Sequence, residues 1–198
     1  IYQSLKPELI KVVTDEAHKL GMTVTGHIPN GVNVYEAVEN GFDQVNHLGF
    51  VYPAMLPRNF KPANGQRPEI NPESENAKEG LAFLRQHNTV IEPTLARGEL
   101  GFHFKDRSFS TVEPGYTKLP FEFSALIDSM GVSPNPALEE RIKQRTILSN
   151  RVIMALHKNG IPIITGTDLV VPGHSEFREL ELLVKAGLTP MEAIQSAT

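Results

Sequence analysis

The chain has 198 residues, a formal net charge of −4 and 40% hydrophobic residues, which fits one large packed domain or a piece of a larger one and excludes disorder. The mild acidity offers nucleic acid no basic surface, and there is no apolar run of about 18 residues to span a bilayer. Cysteine is absent, so disulfides and cysteine-bound metals are excluded, and any metal would need the carboxylates and the seven histidines.

Helices and short strands alternate from the start of the chain. The apolar spacing and the runs rich in Thr and Val predict a helix, a strand, a helix and a strand over residues 5–20, 22–27, 31–41 and 43–49. Each of these two strands ends at a histidine, His27 in the first and His47 in the second.

Two stretches in the middle of the chain change this pattern. Residues 50–73 are dense in Pro, Asn and Gly, and residues 96–135 scatter aromatic residues among Gly and Pro, so both are predicted to be irregular. Between them we predict a helix over 75–87, capped by Ser74, and a strand over 89–95. Loops of this length in a compact domain are typical of lids, and the alternative is a surface excursion.

Regular order returns after residue 135. We predict a helix over 136–159, an apolar strand over 161–168, a helix capped by Ser175 that runs to about 186, and a short helix opened by Thr189 and Pro190. Alternating strands and helices indicate a parallel β/α architecture. Four strands fit either an open doubly wound sheet or part of a (β/α)8 barrel, and the strand count leaves both open.

Polar residues at the strand ends favour the barrel. In a (β/α)8 barrel the active site lies at the C-terminal ends of the strands, where His27, His47 and Asp168 would meet at one rim. Imidazole and carboxylate groups suit zinc or a similar divalent ion. Taken singly, each residue also fits a structural histidine or a turn aspartate.

Four segments together resemble the amidohydrolase superfamily: AHKLGMTVTGHIP, AVENGFDQVNHLG, IPIITGTD and SEFRELELLVKAGLTPMEAIQSAT. They are similar to the second half of the barrel in the imidazolonepropionase-related and Xaa-Pro-dipeptidase-like branches. The resemblance implies an α/β fold, a partial (β/α)8 TIM-type barrel made of about strands 5–8. Residues 1–198 would then be the C-terminal half of the barrel domain, with lid-like insertions at about 50–73 and 96–135.

The resemblance also implies roles for individual residues. His27, His47 and Asp168 would bind one or two divalent ions, with zinc expected, and Asp168 would also transfer the proton. The activity implied is hydrolysis of carbon–nitrogen bonds in small molecules, namely amides, cyclic amides or dipeptide-like substrates. His174, in the loop after the last strand, and Arg97, after the third, are candidate substrate-binding residues, with solvated loop residues as the alternative.

Other expectations concern what surrounds this chain. The family's His-x-His pair and strand-4 lysine are missing, so we expect them upstream of Ile1, in an N-terminal half of the barrel. A homo-oligomer is a separate expectation. The start looks cut or processed, so no localisation is assigned. Without those partners, Val24, Val45, Ile91 and Ile163 would line an uncovered barrel-interior face.

Two competing functions remain in view. The chain could be a catalytically incomplete fragment that only binds metal or serves a structural role. An open α/β nucleotide-binding domain is disfavoured, because no Gly-rich phosphate loop such as G-x-G-x-x-G follows a strand.

Overall fold

The computed structural model describes residues 1–61 and 68–198, and these residues form two compact units. Unit 1 comprises Ile1–Pro93 and Arg151–Ile164, and unit 2 comprises Thr94–Asn150 and Thr165–Thr198. Residues 62–67, which belong to the first predicted insertion, lie outside the described residues. None of the helices in the described ranges combines the length and apolar character needed to cross a membrane.

The regular elements follow the predicted alternation of strands and helices. The strands are β1 (Thr25–Gly26), β2 (Gln44–Asn46) and β3 (Val90–Glu92). The α-helices are α1 (Ile10–Lys19), α2 (Val34–Glu39), α3 (Glu75–Gln86), α4 (Leu95–Phe102), α5 (Phe121–Met130), α6 (Pro136–Lys158), α7 (Ser175–Ala186) and α8 (Pro190–Gln195). Short 3-10 helices at Pro7–Leu9, Leu48–Phe50, Tyr52–Met55, Phe109–Thr111 and Pro114–Lys118 fill several connections.

The sheet of unit 1 is parallel, and its strands lie in sequence order, β1-β2-β3. Single residues extend it on both sides. Ile1 lies beside β1 and makes two hydrogen bonds there: its amino group donates to Thr25 O (2.8 Å), and its carbonyl accepts from His27 N–H (3.2 Å). On the far side, Ile163 forms a parallel bridge with Ile91 of β3.

The predicted strand over 161–168 is therefore wrong in extent, because it pairs only around Ile163. Ile164 N–H still donates to Ile91 O (3.0 Å), but the next amide, Thr165 N–H, donates to Ser196 O (2.9 Å), just after α8. The backbone then reaches Asp168 with a positive φ of 48°, which an extended strand does not contain. High apolar content predicted a strand where the backbone amides find other partners.

The two faces of the sheet differ in chemistry, and the expectation of an uncovered apolar face is wrong. Val45 and Ile91 share one face and are fully buried, and Val24 is 5% exposed. The opposite face carries a polar network, in which Thr25 Oγ1 donates to Asn46 Oδ1 (2.7 Å). On the same face Gln44 Nε2 donates to Glu92 Oε2 (2.7 Å). Together with Thr25 and Asn46, these two residues form a row of polar neighbours across the strands.

Unit 2 has its own apolar core, which corrects the second predicted irregular stretch. Residues 96–135 include most of α4 and all of α5, joined by 3-10 turns. The core residues of unit 2 are Ala96, Leu100, Phe109, Ile127, Val170 and Val171. Glycines and prolines interrupt the apolar spacing along the chain, so the helices were missed, although packing in three dimensions sustains them. A lid role for either insertion stays a prediction.

Candidate functional site

The structure brings His27 and His47 together at the ends of β1 and β2, in unit 1. Their Nε2 atoms lie 2.6 Å apart, and the ring centroids lie 4.4 Å apart in an edge-to-face arrangement. The rings of Tyr2 and Phe50 flank His27, at centroid distances of 4.6 and 5.4 Å. The two imidazoles thus share a partly apolar surrounding at the C-terminal edge of the sheet.

The backbone before His27 explains why glycine precedes it. Gly26 has a φ of +142°, and a Cβ at this position would lie 2.0 Å from the carbonyl oxygen of Ile1. Only glycine therefore allows Ile1 to approach β1 and accept the His27 N–H. The Gly-His pair is thus a requirement of the backbone as well as of the side chain.

His47 reaches the same place through a strained backbone. Side chains alternate along a strand, so regular geometry would place His47 on the buried face with Val45. Its φ of 62° interrupts this alternation, and the ring lies against His27 instead. A positive φ in a non-glycine residue costs about 1–3 kcal/mol and is typical of functional sites.

The paired imidazoles fit a metal ion in their chemistry. His27 Nδ1 is buried and has no hydrogen-bond partner, while its Nε2 faces His47. As neutral imidazoles, the two facing nitrogens would hold a divalent ion such as zinc. Across residues 1–61 and 68–198, no three His, Asp or Glu side chains form a group placed to hold a metal ion.

Asp168 lies in unit 2, beside Arg97. Arg97 Nε and Asp168 Oδ2 are 3.4 Å apart, and both side chains are partly exposed. Asp168 and Leu169 both have positive φ, and so does Thr94, at the residue that precedes α4. Three of the candidate strand ends, at His47, Thr94 and Asp168, are thus strained in the same way.

A buried carboxylate supports the start of α4, and sequence reasoning missed it. The Thr94 side chain does not cap this helix. Instead Glu179 of α7, fully buried, accepts from the backbone N–H groups of Leu95 (2.8 Å) and Ala96 (2.7 Å). A carboxylate at a helix N-terminus is favourable because it pairs with free N–H groups. In the sequence Glu179 is one acid among several in an amphipathic helix, so nothing marked it.

A second contact joins the same two helices. Arg178 of α7 donates from Nε and Nη2 to the two carboxylate oxygens of Glu99 on α4, at 2.6 Å each. These hydrogen bonds raise the pKa of the Arg178 guanidinium further above its ordinary value. Planar two-point pairing of this kind fixes orientation as well as distance. Helix α7 thereby holds α4, which carries Arg97.

His174 packs on Gly115 and precedes Ser175, and a buried hydrogen-bond network in unit 2 connects these two residues. Glu113, 4% exposed, accepts from Gly115 N–H (2.9 Å) and from Ser175 Oγ (2.7 Å). Ser175 Oγ in turn accepts from Val171 N–H (2.9 Å). A Cβ at Gly115 would lie 2.3 Å from both Cβ and Cγ of His174, so the histidine packs directly on the glycine backbone. Glu113 was not predicted, because it lies in a stretch read as irregular.

The sequence profile of the amidohydrolase family matches residues 3–198. None of the curated proteins matches the chain by sequence. The fold is similar to the solved structures of the bottromycin amidohydrolase (21% identity, TM-score 0.56, 96% of this chain and 42% of that one), the A. niger ochratoxinase (18%, 0.55, 98% and 33%) and a Xaa-Pro dipeptidase with bound methionine in the active site (20%, 0.50, 98% and 36%). At these identities the likeness shows an amidohydrolase-like α/β fold. The chain spans well under half the length of these proteins.

Proposed function

The chain belongs to the amidohydrolase family, as the sequence predicted. From that premise we propose that it functions as a metal-dependent hydrolase of carbon–nitrogen bonds. The substrates would be small amides, cyclic amides or dipeptide-like molecules. The observation that carries the proposal is the His27–His47 pair, whose Nε2 atoms face each other at the ends of adjacent parallel strands. Two imidazoles in this position suit a divalent ion better than they suit a structural core.

We propose a partial (β/α)8 barrel as the architecture, equivalent to about strands 5–8. Support comes from the order of the three strands, in which each strand lies beside the next one in sequence. A doubly wound sheet reverses its order at a switch point, whereas a barrel does not. The polar face with Gln44 and Glu92 would then line the barrel interior, and the buried face with Val45 would pack against the helices.

The proposed metal ligands are His27, His47 and Asp168, and zinc is the expected ion, with one or two ions bound. The chemistry of the donors supports this, since neutral imidazole and carboxylate are ordinary zinc ligands. His27 Nε2 and His47 Nε2 face each other, so the two rings present a pair of nitrogens to one ion. When bound, such an ion supplies Lewis acidity toward water and toward the scissile carbonyl.

Asp168 is the proposed proton carrier. Its carboxylate would accept the proton that the attacking water loses, and would return it to the nitrogen of the leaving amine. Arg97 Nε lies 3.4 Å from Asp168 Oδ2, so a cationic side chain stands beside the proposed proton carrier. The positive φ of Asp168 supports a functional role, because strain of this kind persists where the surrounding structure imposes it.

Arg97 and His174 are the proposed substrate contacts. The Arg97 guanidinium can donate to a substrate oxygen close to the reacting group, since it already lies beside Asp168. His174 is held by its packing on Gly115, so its ring has a defined position before substrate binds. Fixed side chains of this kind bind a ligand at a lower entropic cost than mobile ones.

The alternative is a catalytically incomplete barrel fragment that binds metal or has a structural role. The difference in length supports this alternative, because the similar structures are more than twice as long as this chain. The two readings separate on one measurement, which is turnover of amides by the full-length protein loaded with zinc.

The test uses the full-length protein and a panel of N-acyl amino acids, dipeptides and cyclic amides. Asp168→Asn should lower kcat by about 100-fold or more, because a positioned proton carrier contributes on that scale. Asp15→Asn, an exposed position on α1, is the matched control and should leave kcat unchanged. Near-wild-type turnover by Asp168→Asn would show that the role given to this aspartate is wrong.

A further inference from the structure

The chain contains four Asn-Gly pairs, and the structure describes three of them. Asn30–Gly31 follows β1 and His27, Asn40–Gly41 follows α2, and Asn159–Gly160 follows α6. The fourth pair, Asn64–Gly65, lies outside the described residues. An asparagine before glycine is prone to lose its side-chain amide, because glycine has no Cβ to obstruct attack by its own backbone nitrogen. The three described pairs share this chemistry and differ in their surroundings.

At the end of α2 both reacting groups are engaged in hydrogen bonds. The side-chain amide of Asn40 donates to Glu36 O (2.7 Å), and Gly41 N–H donates to Val38 O (3.0 Å). A Cβ at Gly41 would lie 2.8 Å from Thr14 Cβ, so another element packs closely on this glycine. Attack of the Gly41 nitrogen on the Asn40 side chain would break both hydrogen bonds in a crowded place.

The end of α6 repeats this arrangement. The side-chain amide of Asn159 donates to Ala155 O (2.8 Å), and Gly160 N–H donates to His157 O (3.0 Å). Both residues are exposed, so exposure alone does not free them for reaction. The two hydrogen bonds hold the asparagine side chain along the helix, away from the glycine nitrogen.

The Asn30–Gly31 pair has neither restraint. Both residues are exposed, and in the described part of the chain no group hydrogen-bonds to the Asn30 side chain or to Gly31 N–H. The turn is closed by one hydrogen bond, from Val32 N–H to Pro29 O (3.2 Å). Gly31 has a φ of +85°, and apart from its chain neighbours no described atom lies within 4 Å of the place that a Cβ would take. The backbone can therefore rotate here at little cost.

We propose that Asn30 is a site of spontaneous deamidation in the folded protein. The Gly31 nitrogen attacks Cγ of Asn30, a bond forms between these two atoms, and ammonia leaves together with the Gly31 amide proton, which gives a cyclic succinimide. Water then opens the ring at either carbonyl and yields aspartate or isoaspartate. The net reaction consumes water, releases ammonia and adds one negative charge, and it needs no oxidant or reductant.

The modification falls in the segment that follows His27. Asn30 N–H donates to Gln3 O (3.1 Å) and His27 N–H donates to Ile1 O (3.2 Å), so this segment pairs with the same stretch at both residues. Isoaspartate would insert a backbone methylene just before Gly31 and change the geometry of the turn. This inference is independent of the proposed function, because the reaction uses neither metal nor substrate.

The test compares the three pairs within one molecule. The full-length protein is incubated at mildly alkaline pH, and peptide mapping by mass spectrometry follows deamidation at each asparagine over time. Asn30 should react at least about tenfold faster than Asn40 and Asn159, because each of these must first lose two hydrogen bonds. Asn30→Gln should remove the reaction at this position and leave the rates at Asn40 and Asn159 unchanged.

The same chain unfolded in urea is the matched control. There the three pairs should react at similar rates, because unfolding removes the hydrogen bonds that protect two of them. Folded protein in which Asn40 or Asn159 reacts as fast as Asn30 would overturn the proposal. So would an intact Asn30 over a period in which the unfolded chain reacts there, or the same order of rates in urea, which would assign the difference to flanking sequence.

Discussion

At the residue scale, backbone strain marks the candidate site more sharply than side-chain identity does. Five non-glycine residues in the described ranges have positive φ, and three of them, His47, Thr94 and Asp168, stand at predicted strand ends. Another, Asn88, follows α3, where a left-handed residue commonly ends a helix. Strain of about 1–3 kcal/mol per residue is retained where it orients a side chain for use.

The histidine pair gives the first prediction. His27→Ala and His47→Ala in the full-length protein should each weaken zinc binding by at least about 100-fold, because removal of a ligand costs more than removal of its supporting partner. Zinc affinity is measured by competition with a chromophoric chelator. His87→Ala is the control, since His87 is an exposed residue after α3. Unchanged affinity in both ligand variants would contradict the metal assignment.

Arg97 gives the second prediction at this scale. Arg97→Met removes the cation beside Asp168 and should lower kcat/KM about tenfold or more, as expected when a charged partner close to the reacting group is lost. Arg97→Lys keeps the charge but not the planar pairing and should recover part of the loss. Arg107, an exposed arginine paired with Glu139, provides the control variant Arg107→Met. Equal kcat/KM in all four proteins would remove Arg97 from the site.

At the element scale, helix α7 organises unit 2. Its consecutive residues Arg178 and Glu179 both bind α4, one through Glu99 and the other through the first backbone amides of the helix. Thr94, the residue before α4, has a positive φ and its side chain does not cap the helix, so the carboxylate of Glu179 replaces the missing cap. The position of Arg97 on α4 therefore depends on Glu179 of α7, a residue far from it in the sequence.

The third prediction tests how much Glu179 stabilises the start of α4. Glu179→Ala removes the acceptor of the half-buried Leu95 N–H and of the buried Ala96 N–H, and should lower the free energy of unfolding by about 2–4 kcal/mol. Urea denaturation followed by circular dichroism measures the change. Glu181→Ala removes only an exposed ion pair with Arg178 and should cost under about 1 kcal/mol. If Glu179→Ala has the same free energy of unfolding as Glu181→Ala, Glu179 is not needed to stabilise α4.

At the scale of the whole molecule, the chain combines two compact units with different chemistry. Unit 1 contains the parallel sheet and the two histidines, and unit 2 contains Asp168, Arg97 and His174. The elements of each unit come from separate stretches of the chain, so neither unit is a continuous segment. The candidate residues are thus distributed over the fold and not concentrated in one motif.

The fourth prediction concerns metal and stability. An ion that binds only the folded state stabilises it by mass action, by about 2.7 kcal/mol at about 100 times its Kd. Zinc should therefore raise the Tm of the full-length protein by several degrees, and EDTA should reverse the shift. The shift is measured by differential scanning calorimetry, with His27→Ala and a calcium salt as controls. The same zinc shift in His27→Ala would place the binding site elsewhere.

Local sequence signals determined much of this protein. The predicted helices over 136–159 and 75–87 are confirmed to within one residue, because caps and apolar periodicity act within a few residues. The predicted end of the next helix at about 186 is also confirmed, but Ser175 is its first residue and not its cap. Family membership is also confirmed, since the family profile matches residues 3–198. The roles of His27, His47 and Asp168 stay predictions.

Tertiary structure decided what depends on contacts between distant residues. The apolar run around Ile163 pairs at a single bridge, because the next free amide, Thr165 N–H, donates to Ser196 O and not to a strand. The sequence around Thr165 contains no signal for this distant partner. The buried acids Glu113 and Glu179 look like surface residues in the sequence, since a carboxylate becomes buried only where a fold supplies its donors. Local propensity sets where helices begin and end, whereas long-range packing sets which polar groups meet, and the site depends on the second.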